Sequence, residues 1–251
     1  MFEQELKVAI EAARAAGVEV ARMRREGLRY GRKDGWELVS DADIRAAEML
    51  HEAITGAFPE DGWLSEEDVD TDRRLTRDRA WIVDPIDGTR EFLQGIPEYA
   101  VSVGLAVEGE PVLGVVYNPA TDEMFAATTE KAVERSGALV PSAYDVLVGR
   151  GEKEWDEVPT LPFGGRTLGV GSVAYRLALV SAGRGDATLS GYGRSEWDVA
   201  AGMALCIAAG LRATDVMCDP MRFNQAEPAV RGFLVAAPAL HEHLARHLHR
   251  R

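Results

Sequence analysis

The sequence predicts an α+β fold, a layered α/β/α/β/α sandwich in which helices alternate with an antiparallel or mixed sheet and a second, smaller sheet. Three observations support this fold class. Apolar residues at helical spacing open the chain, β-like runs follow one another from 100 to 128, and strand and helix patterns alternate from 167 to 248. Alternation of this kind is typical of helices layered on sheets.

The length of 251 residues suits one large core, which can be divided into two lobes around a cleft. We expect a single unit over 1–251, with one lobe at about 1–130 and another at about 165–251. Residues 130–165 mix short apolar runs with glycine, proline and polar residues, so they predict no regular element. We assign them to the connection between the lobes.

The first half of the chain predicts two helices, one buried strand and a meander. Leu6, Ile10 and Val20 share one helical face, Gly27 ends that run, and Ser40 or Asp41 can cap a second helix. The predicted elements are a helix over 3–25, a helix from about 40 to 56, a strand over 81–83 that stops at Asp84-Pro85, a helical turn over 90–94, and antiparallel strands over 100–107, 112–117 and 123–127.

The second half alternates between short strands and helices. The predicted elements are strands over 167–170, 187–190, 211–216 and 232–236 and helices over 172–184, 197–209 and 238–248. The longest apolar stretch, 199–211, falls short of the roughly 20 residues that span a bilayer, so no membrane partner is expected. The acidic N-terminus lacks the features of a secretory signal, and we expect a cytoplasmic protein.

Composition and charge limit the partners. The net charge of −13 would repel a polyphosphate backbone, so a nucleic acid polymer is not expected as a partner. An acidic protein that binds an anionic metabolite needs local positive charge, and bound cations can supply it. The two cysteines are Cys206 and Cys218, and the apolar setting of Cys206 indicates a buried thiol in a reducing compartment.

The sharpest local signal is Asp84-Pro85-Ile86-Asp87-Gly88-Thr89, between the buried strand and the helical turn. Two carboxylates three residues apart on a tight turn can converge on one divalent cation, which prefers oxygen ligands. Gly88 lets the backbone approach a ligand, and the N–H groups of Gly88 and Thr89 can point at a phosphate oxygen. The alternative is an aspartate-rich turn whose side chains cap backbone N–H groups.

Three more carboxylates are candidates for the same site. Glu66 is followed by Glu67 and Asp68, and the repulsion among these charges is costly unless a cation neutralises it. The alternative is a solvated acidic loop. Asp198 opens an apolar helix and Asp43 lies at the start of the second helix. For both residues the alternative is compensation of the helix dipole.

These motifs resemble the inositol monophosphatase family. The resemblance is carried by Trp81-Ile-Val-Asp-Pro-Ile-Asp-Gly-Thr89, by Ser65-Glu-Glu67 upstream and by Trp197-Asp-Val-Ala-Ala-Gly202 downstream. Similarity extends from the first helix to about 127 and from 169 to about 224, whereas 130–165 departs from the pattern. The resemblance implies a lithium-sensitive, magnesium-dependent phosphatase that acts on a small phosphorylated metabolite as a homodimer and has no organic cofactor.

Carried over position by position, the resemblance implies a site with two or three Mg²⁺ ions. The implied metal ligands are Glu66, Asp84, the Ile86 carbonyl, Asp87 and Asp198. Glu66 also belongs to the implied catalytic residues, with Asp43 and Thr89, which pair to orient and activate the attacking water. The Gly88 and Thr89 amides would hold the phosphate during a direct displacement. A phosphoaspartate route is the alternative, but it uses an Asp-x-Asp pair, whereas two residues separate Asp84 from Asp87.

The residues after the motif bear on the substrate. Arg90-Glu91-Phe92 is closer to the Lys-Glu-Phe of 3′(2′),5′-bisphosphate nucleotidases than to the Thr-Asn-Phe of inositol monophosphatases. We therefore expect hydrolysis of the 3′(2′)-phosphate of an adenosine bisphosphate. The alternatives are inositol monophosphate, histidinol phosphate and, in a different class, a non-catalytic regulator that binds metal or phosphate. Further candidate substrate contacts are Arg90, Gly171, Ser172 and Arg194, with a helix cap or a surface position as the alternative.

Four histidines near the C-terminus raise the question of a transition-metal site. They are His241, His243, His247 and His249, two of which are four residues apart on a predicted helix. We interpret them as part of an amphipathic terminal helix, because magnesium prefers oxygen ligands and the acidic motifs lie far away in sequence.

Overall fold

The computed structural model describes residues 1–33, 37–69, 71–131, 140–155, 157–162 and 164–248. Its α-helices are α1 (Glu3–Glu26), α2 (Asp41–Ala57), α3 (Thr89–Gln94), α4 (Arg150–Glu154), α5 (Val173–Ser181), α6 (Glu196–Ala208) and α7 (Pro238–Leu248). Short 3₁₀ turns lie at Asp72–Thr76 and Thr129–Lys131. Within these ranges, no helix is long and apolar enough to cross a membrane.

The strands are β1 (Tyr30–Lys33), β2 (Glu37–Ser40), β3 (Gly62–Ser65), β4 (Arg79–Asp87), β5 (Ala100–Val107), β6 (Glu110–Asn118), β7 (Glu123–Thr128), β8 (Tyr144–Gly149), β9 (Gly165–Val170), β10 (Ala187–Ser190), β11 (Arg194–Ser195), β12 (Arg212–Thr214), β13 (Ala229–Val230) and β14 (Phe233–Ala236). Sheet 1 has the order β3-β4-β5-β6-β7, and sheet 2 has the order β12-β14-β10-β8-β9. The pairs β1–β2 and β11–β13 form two short antiparallel ribbons.

Both large sheets are mixed. In sheet 1, β3 runs parallel to β4, and the remaining neighbours are antiparallel. In sheet 2, β8 runs parallel to both β9 and β10, whereas β14 is antiparallel to β10 and β12. The strands β8 and β10 form a parallel pair in the interior of sheet 2. Parallel pairs usually have helices on both faces of the sheet.

The elements stack in five layers. Helices α1 and α2 cover one face of sheet 1, helices α5 and α6 lie between the two sheets, and α7 covers the outer face of sheet 2. Side chains of β14 alternate between these environments: Phe233 and Val235 face the middle helices, whereas Leu234 and Ala236 face α7. The predicted α/β/α/β/α sandwich is confirmed.

Helix α6 packs directly on sheet 1. A Cβ atom at Gly114 would lie 2.0 Å from the carbonyl oxygen of Ala201, and one at Gly104 would lie 3.0 Å from the nitrogen of Ala201. Glycine lets the two backbones approach this closely, because any side chain would meet backbone atoms. The close contact fixes α6, and with it Asp198 in its first turn, against the strands of sheet 1.

Local signals predicted the ends of several helices correctly. Helix α1 ends at Gly27, whose φ of 107° is a conformation that glycine adopts without strain. Ser40 caps α2, and Asp43 accepts the Ser40 N–H in return, which completes a capping box. Helix α7 has the predicted bounds. Cys206 is buried as predicted, and neither cysteine forms a disulfide.

Other elements differ from the predictions. Pro85 does not end β4, which continues to Asp87 through an irregularity in its pairing with β5. The hairpin β1–β2 and strand β3 were not predicted, and residues 130–165 contain β8 and α4. Strand β8 lies between β9 and β10 in sheet 2, so long-range pairing with these two strands stabilises it. Helix α5 ends at Ser181 rather than 184, and β12 spans only three residues.

Candidate active site

The pairing irregularity in β4 sets the direction of two carboxylates. Asp84 pairs with Ser102 and Asp87 pairs with Ala100, so two residues of β4 lie opposite one residue of β5. Side chains three apart on a regular strand point to opposite faces, because their direction alternates with every residue. One extra residue, as in a β-bulge, shifts the alternation by one position, so that side chains three apart point to the same face. Asp84 and Asp87 can therefore point to the same place, and Pro85 occupies a position that needs no ladder N–H.

Three carboxylates converge at this bulge. Ligand oxygens of Asp84, Asp87 and Asp198 all lie within 4.8 Å of one another. Asp84 and Asp87 are buried, and Asp198 is half-buried in the first turn of α6. Burial, with the negative charges of the neighbouring carboxylates, raises the pKa of Asp84 and the pKa of Asp198 well above the usual range. The nearby charge of Arg194 does not offset the burial and repulsion of these carboxylates, and a divalent cation would supply further positive charge.

Glu66 lies directly after β3, next to this cluster. Its N–H donates to the Val83 carbonyl at 3.3 Å, which continues the pairing of β3 with β4. Burial raises the pKa of Glu66 to about 7, although the ammonium group of Lys33 opposes the shift. Lys33 Nζ donates to Glu66 Oε1 at 3.0 Å and to Glu67 Oε1 at 2.5 Å. The acidic segment is therefore partly buried and paired, unlike a solvated loop.

Asp43 and Thr89 are in contact, as the resemblance implied. Thr89 Oγ1 lies 3.0 Å from Asp43 Oδ1 and 3.0 Å from the Ile86 carbonyl oxygen, and its single proton can be donated to either. The Ser40 N–H and hydroxyl donate to Asp43 Oδ2 at 2.8 and 2.6 Å. Burial raises the pKa of Asp43, while its contacts with Ser40 oppose that shift. Asp43 thus caps α2 with one oxygen and holds Thr89 with the other.

Gly88 forms the sharp turn from β4 into α3. Its φ is 89°, and a Cβ atom there would lie 3.0 Å from the Glu98 carbonyl oxygen and 3.2 Å from Ser172 Cβ. A side chain at this position would be strained by the backbone and would have no room. Gly88 therefore allows Thr89 to follow Asp87 at once and still reach Asp43.

Ser172 is the N-cap of α5, and it also binds a carboxylate of the cluster. Its hydroxyl accepts from the Tyr175 N–H at 3.0 Å and donates to Asp87 Oδ2 at 2.6 Å. The Ala174 N–H donates to the same Asp87 oxygen. The hydroxyl is buried and its proton is committed to Asp87, so this geometry favours the capping role over the predicted substrate contact. The substrate role of Ser172 stays a prediction.

The other candidate substrate contacts line one cleft of about 340 Å³. Arg90 is exposed on α3, and its guanidinium lies 5.8 Å from the centre of the Trp155 ring. Arg194 lies next to the N-cap of α6, and it donates to Glu152. Gly171 forms part of the wall, and its N–H donates to Glu98 Oε2 at 2.8 Å. The cleft therefore adjoins both the Asp87 and the Asp198 sides of the cluster.

Several residues of this region were not singled out in the sequence. Glu152 is buried and accepts from the Gly149 N–H and the Ser190 hydroxyl in addition to Arg194. Arg176 is fully buried, and its Nη1 lies 3.7 Å from Glu152 Oε2. Glu152 lies in the segment 130–165, for which the sequence predicted no regular element, whereas Arg176 lies in a predicted helix. Helices α4 and α5 both pack against β8, which brings the two residues together. A buried arginine in an apolar helix was the one available clue.

The histidines of α7 do not take part in this site. His241 is buried, and its Nε2 lies 2.9 Å from Thr214 Oγ1, while the His243 ring makes an edge contact with Tyr144. His249 lies outside the described residues. Among the residues that the structure describes, the carboxylates of Asp84, Asp87 and Asp198 are the one group found with metal-binding geometry.

The fold and the carboxylate cluster define a metal-binding α+β protein, and comparison with known proteins identifies its family. The inositol monophosphatase family matches residues 1–251, and the chain belongs to that family. It is a metal-dependent phosphomonoesterase with an acidic metal-binding cluster.

Individual relatives agree with this assignment. The chain is 35% identical to the inositol-1-monophosphatase of Mesorhizobium japonicum over 235 residues, which cover 84% of this chain and 85% of the relative. It is 32% identical to the histidinol-phosphatase of Chlorobaculum parvum over 219 residues, covering 82% and 83%. The solved structure of the extragenic suppressor protein suhB from Bartonella henselae matches with a TM-score of 0.80 at 27% identity, covering 98% of each chain.

These names support the predicted family and its phosphatase chemistry, but they do not specifically support the predicted adenosine bisphosphate substrate. The curated relatives just described are an inositol-1-monophosphatase and a histidinol-phosphatase, which were the alternatives in the sequence analysis. The bisphosphate nucleotidase branch, which Arg90-Glu91-Phe92 suggested, receives no specific support from them.

Proposed function

We propose that the chain hydrolyses the phosphate monoester of a small metabolite, with an inositol monophosphate as its substrate. The observation that carries the proposal is the convergence of Asp84, Asp87 and Asp198 next to the hydrogen-bonded pair Asp43 and Thr89. Carboxylates supply the oxygen ligands that hard cations prefer, and a hydroxyl–carboxylate pair can take a proton from water. The names of the similar inositol-1-monophosphatases support this substrate.

The proposed ligands of two or three Mg²⁺ ions are Glu66, Asp84, the Ile86 carbonyl, Asp87 and Asp198. When bound, such ions supply Lewis-acid activation of water and of the phosphate. Asp87 is oriented for this role, because the Ser172 hydroxyl and the Ala174 N–H both hold Oδ2 and leave Oδ1 for a cation. The Ile86 N–H holds Asp84 Oδ1 at 2.9 Å in the same way. These contacts fix the carboxylates before a cation arrives.

The proposed role of Thr89 and Asp43 is to orient the attacking water and take its proton. The two Ser40 contacts fix Asp43, and Asp43 Oδ1 faces Thr89 Oγ1. As the water oxygen attacks phosphorus, its proton moves to Thr89 Oγ1 and the threonine proton moves to Asp43 Oδ1. The ester P–O bond breaks, and the leaving alkoxide takes up a proton from solvent water to become the alcohol. The N–H groups of Gly88 and Thr89 would bind phosphate oxygens during this step.

Phosphate release tests the proposal. The panel contains inositol 1-phosphate, histidinol phosphate, 3′-phosphoadenosine 5′-phosphate and fructose 1,6-bisphosphate, each measured with Mg²⁺, with EDTA and with added lithium. We expect turnover that requires Mg²⁺, is suppressed by lithium and has its highest kcat/KM for inositol 1-phosphate. Release of phosphate from none of these compounds, by protein that Mg²⁺ stabilises, would overturn the proposal and favour a non-catalytic regulator.

A second candidate is the 3′(2′)-phosphate of an adenosine bisphosphate. Arg90 and Arg194 both line the cleft beside the carboxylates, and guanidinium groups suit a second anionic group on the substrate. Histidinol phosphate is a third candidate, supported by the name of the Chlorobaculum parvum relative. The same panel separates these candidates, because the compound with the highest kcat/KM identifies the leaving group.

We also propose that the chain acts as a homodimer, which the family resemblance implies. Light scattering coupled to size exclusion tests this directly, because one chain has a mass of 27.3 kDa. A mass near one chain at micromolar concentration would contradict the proposal.

A further inference from the structure

Two large aromatic side chains are exposed at the cleft beside the carboxylate cluster. Trp155 is 64% exposed and Tyr192 is 46% exposed, although both line the same cavity of about 340 Å³. Aromatic side chains carry large apolar surfaces that proteins usually bury. Two of them at one concave site are therefore more informative than single exposed residues, which are common.

Trp155 is held in place by its surroundings. It follows α4, and its ring lies 3.5 Å from the position that a Cβ atom of Gly151 would take. The Arg90 guanidinium lies over the same ring at 5.8 Å from its centre, a distance that favours a cation–π interaction. The ring is therefore anchored on two sides while most of its surface stays open to the cleft.

The cleft lies beside the carboxylate cluster. Gly171 and Arg194 both line it; Gly171 precedes Ser172, which donates to Asp87, and Arg194 precedes the N-cap of the helix that carries Asp198. The cleft is therefore an open space next to the carboxylates, with room for the ester group of a bound phosphate. The two aromatic side chains line that space, whereas Asp87 and Asp198 do not.

A second cavity continues beyond Tyr192. It has a volume of about 480 Å³, shares Tyr192 and Glu157 with the cleft, and is otherwise lined largely by apolar residues such as Leu189, Phe233 and Met217. Tyr192 thus separates a space with arginine side chains from an apolar space. An acyclic leaving group such as glycerol would leave most of this aromatic and apolar surface in water.

We infer that Trp155 and Tyr192 are specificity-determining residues that hold the ring of the leaving group. The inference rests on the proposed phosphatase function and names the substrate class: a phosphate monoester of a ring-bearing alcohol. The flat face of an aromatic side chain packs on the face of a cyclitol, an imidazole or a purine. Arg90 and Arg194 then contact hydroxyl or anionic groups at the edge of the ring.

The test compares kcat/KM for ring-bearing and acyclic substrates in Trp155→Ala and Tyr192→Ala. The ring-bearing probes are inositol 1-phosphate, histidinol phosphate and adenosine 2′-phosphate, and the acyclic probe is 2-glycerophosphate. We expect the ratio of ring-bearing to acyclic kcat/KM to fall about tenfold in each variant, as for loss of one aromatic stacking contact. Trp155→Phe keeps a ring at this position and should restore most of the ratio. Val18→Ala, an exposed position on α1, is the control.

The ring-bearing probes also show which kind of ring the site binds. A preference for inositol 1-phosphate indicates a cyclitol, and a preference for the other two indicates a heteroaromatic ring; either preference supports the inference if the variants abolish it. An equal loss for ring-bearing and acyclic probes, or no preference in the wild type, overturns it.

A binding measurement separates this inference from the proposed function. Calorimetric titration of the same probes with Mg²⁺ into Asp43→Asn, with and without Trp155→Ala, needs no turnover. If the wild type releases no phosphate, the proposed function fails, yet tighter binding of ring-bearing probes that depends on Trp155 would still support the ring site. Equal affinity for ring-bearing and acyclic probes would exclude it.

Discussion

Thr89 Oγ1 lies 3.0 Å from Asp43 Oδ1, although 46 residues separate the two positions in the sequence. Asp43 is placed by the cap of α2, and Thr89 is placed by the bulge and turn that end β4. A helix cap and a strand irregularity thus bring a hydroxyl and a carboxylate together beside the carboxylate cluster. The pair is well suited to hold a water molecule whose proton must be removed.

The first prediction concerns this pair. We expect Asp43→Asn and Thr89→Ala to lower kcat by about 10²- to 10⁴-fold, the range of general acid–base contributions. Mg²⁺ should still raise the melting temperature of both variants, because neither residue belongs to the carboxylate cluster. Asp43→Asn keeps an oxygen that can accept from Ser40, so α2 should remain capped. Steady-state kinetics and thermal melts with and without Mg²⁺ check the prediction, and near-normal kcat in either variant would contradict it.

The second prediction concerns stability without metal. Burial and the charges around it raise the pKa of Asp84, so ionising Asp84 costs more free energy in the folded protein than in the unfolded chain. We expect Asp84→Asn to increase the free energy of unfolding of EDTA-treated protein at pH 7 by about 1–3 kcal/mol. The gain should be absent well below about pH 4, where Asp84 is protonated in both states, should grow as pH rises towards the folded-state pKa, and should level off above it.

Metal should reverse the order of the two proteins. We expect Mg²⁺ to stabilise the wild type and to have little effect on Asp84→Asn, which should also lose most activity. Melting curves at several Mg²⁺ concentrations, with Glu52→Gln as an exposed control on α2, give the comparison. If the metal-free variant is less stable than the metal-free wild type, burial and the neighbouring charges do not make Asp84 destabilising.

The parts of the site that the sequence predicted are those set by short segments. Asp84, Asp87, Gly88 and Thr89 form one motif, so their proximity could be inferred from the sequence, whereas their roles were implied by the family resemblance. The bulge could not be inferred from the sequence, because the register of β4 is fixed by Ser102 and Ala100 on another strand. The predicted strand therefore stopped at Asp84-Pro85, although a proline also fits within a bulge.

The missed elements depend on distant partners in the same way. Strand β3 pairs with β4, and β8 lies between β9 and β10, so their stability comes from pairing and burial more than from local pattern. Lys33 ends β1, which pairs with β2, and from there it reaches Glu66 and Glu67. The five-layer fold, by contrast, follows from amphipathic periods along the whole chain, which is why it was predicted correctly.

The third prediction concerns the buried charges behind the cleft. Glu152 faces Arg176 and Arg194, and although burial raises its pKa, the two arginines and its hydrogen bonds hold that pKa below the usual value. Among the described residues, the guanidinium nitrogens of Arg176 have no hydrogen-bond partner. We expect Glu152→Gln to lower the free energy of unfolding by about 3–5 kcal/mol, because it leaves buried positive charge without a counter-ion.

A double variant tests whether the loss arises from Arg176. Glu152→Gln with Arg176→Met should cost less than the sum of the two single changes, because the second removes the charge that the first leaves unpaired. Urea unfolding measures all three, and Glu154→Gln, an exposed neighbour on α4, is the control. Additive losses would show that the two residues do not interact.

The fourth prediction concerns the pH dependence of stability at α7. Burial, with the nearby charge of Arg212, lowers the pKa of His241 from 6.5 to about 4. Between these values the unfolded chain takes up a proton that the folded chain does not, so the free energy of unfolding falls as pH falls. The loss attributable to His241 is at most about 3 kcal/mol between pH 7 and pH 4. His241→Gln can keep the contact with Thr214 and carries no titratable group, so its stability should fall less over the same range.

Urea unfolding at half-unit pH steps gives the difference between the two proteins, with His247→Gln on the same helix as the control. A constant difference across that range would mean that His241 is protonated equally in the folded and unfolded states, and that its burial does not favour the neutral form.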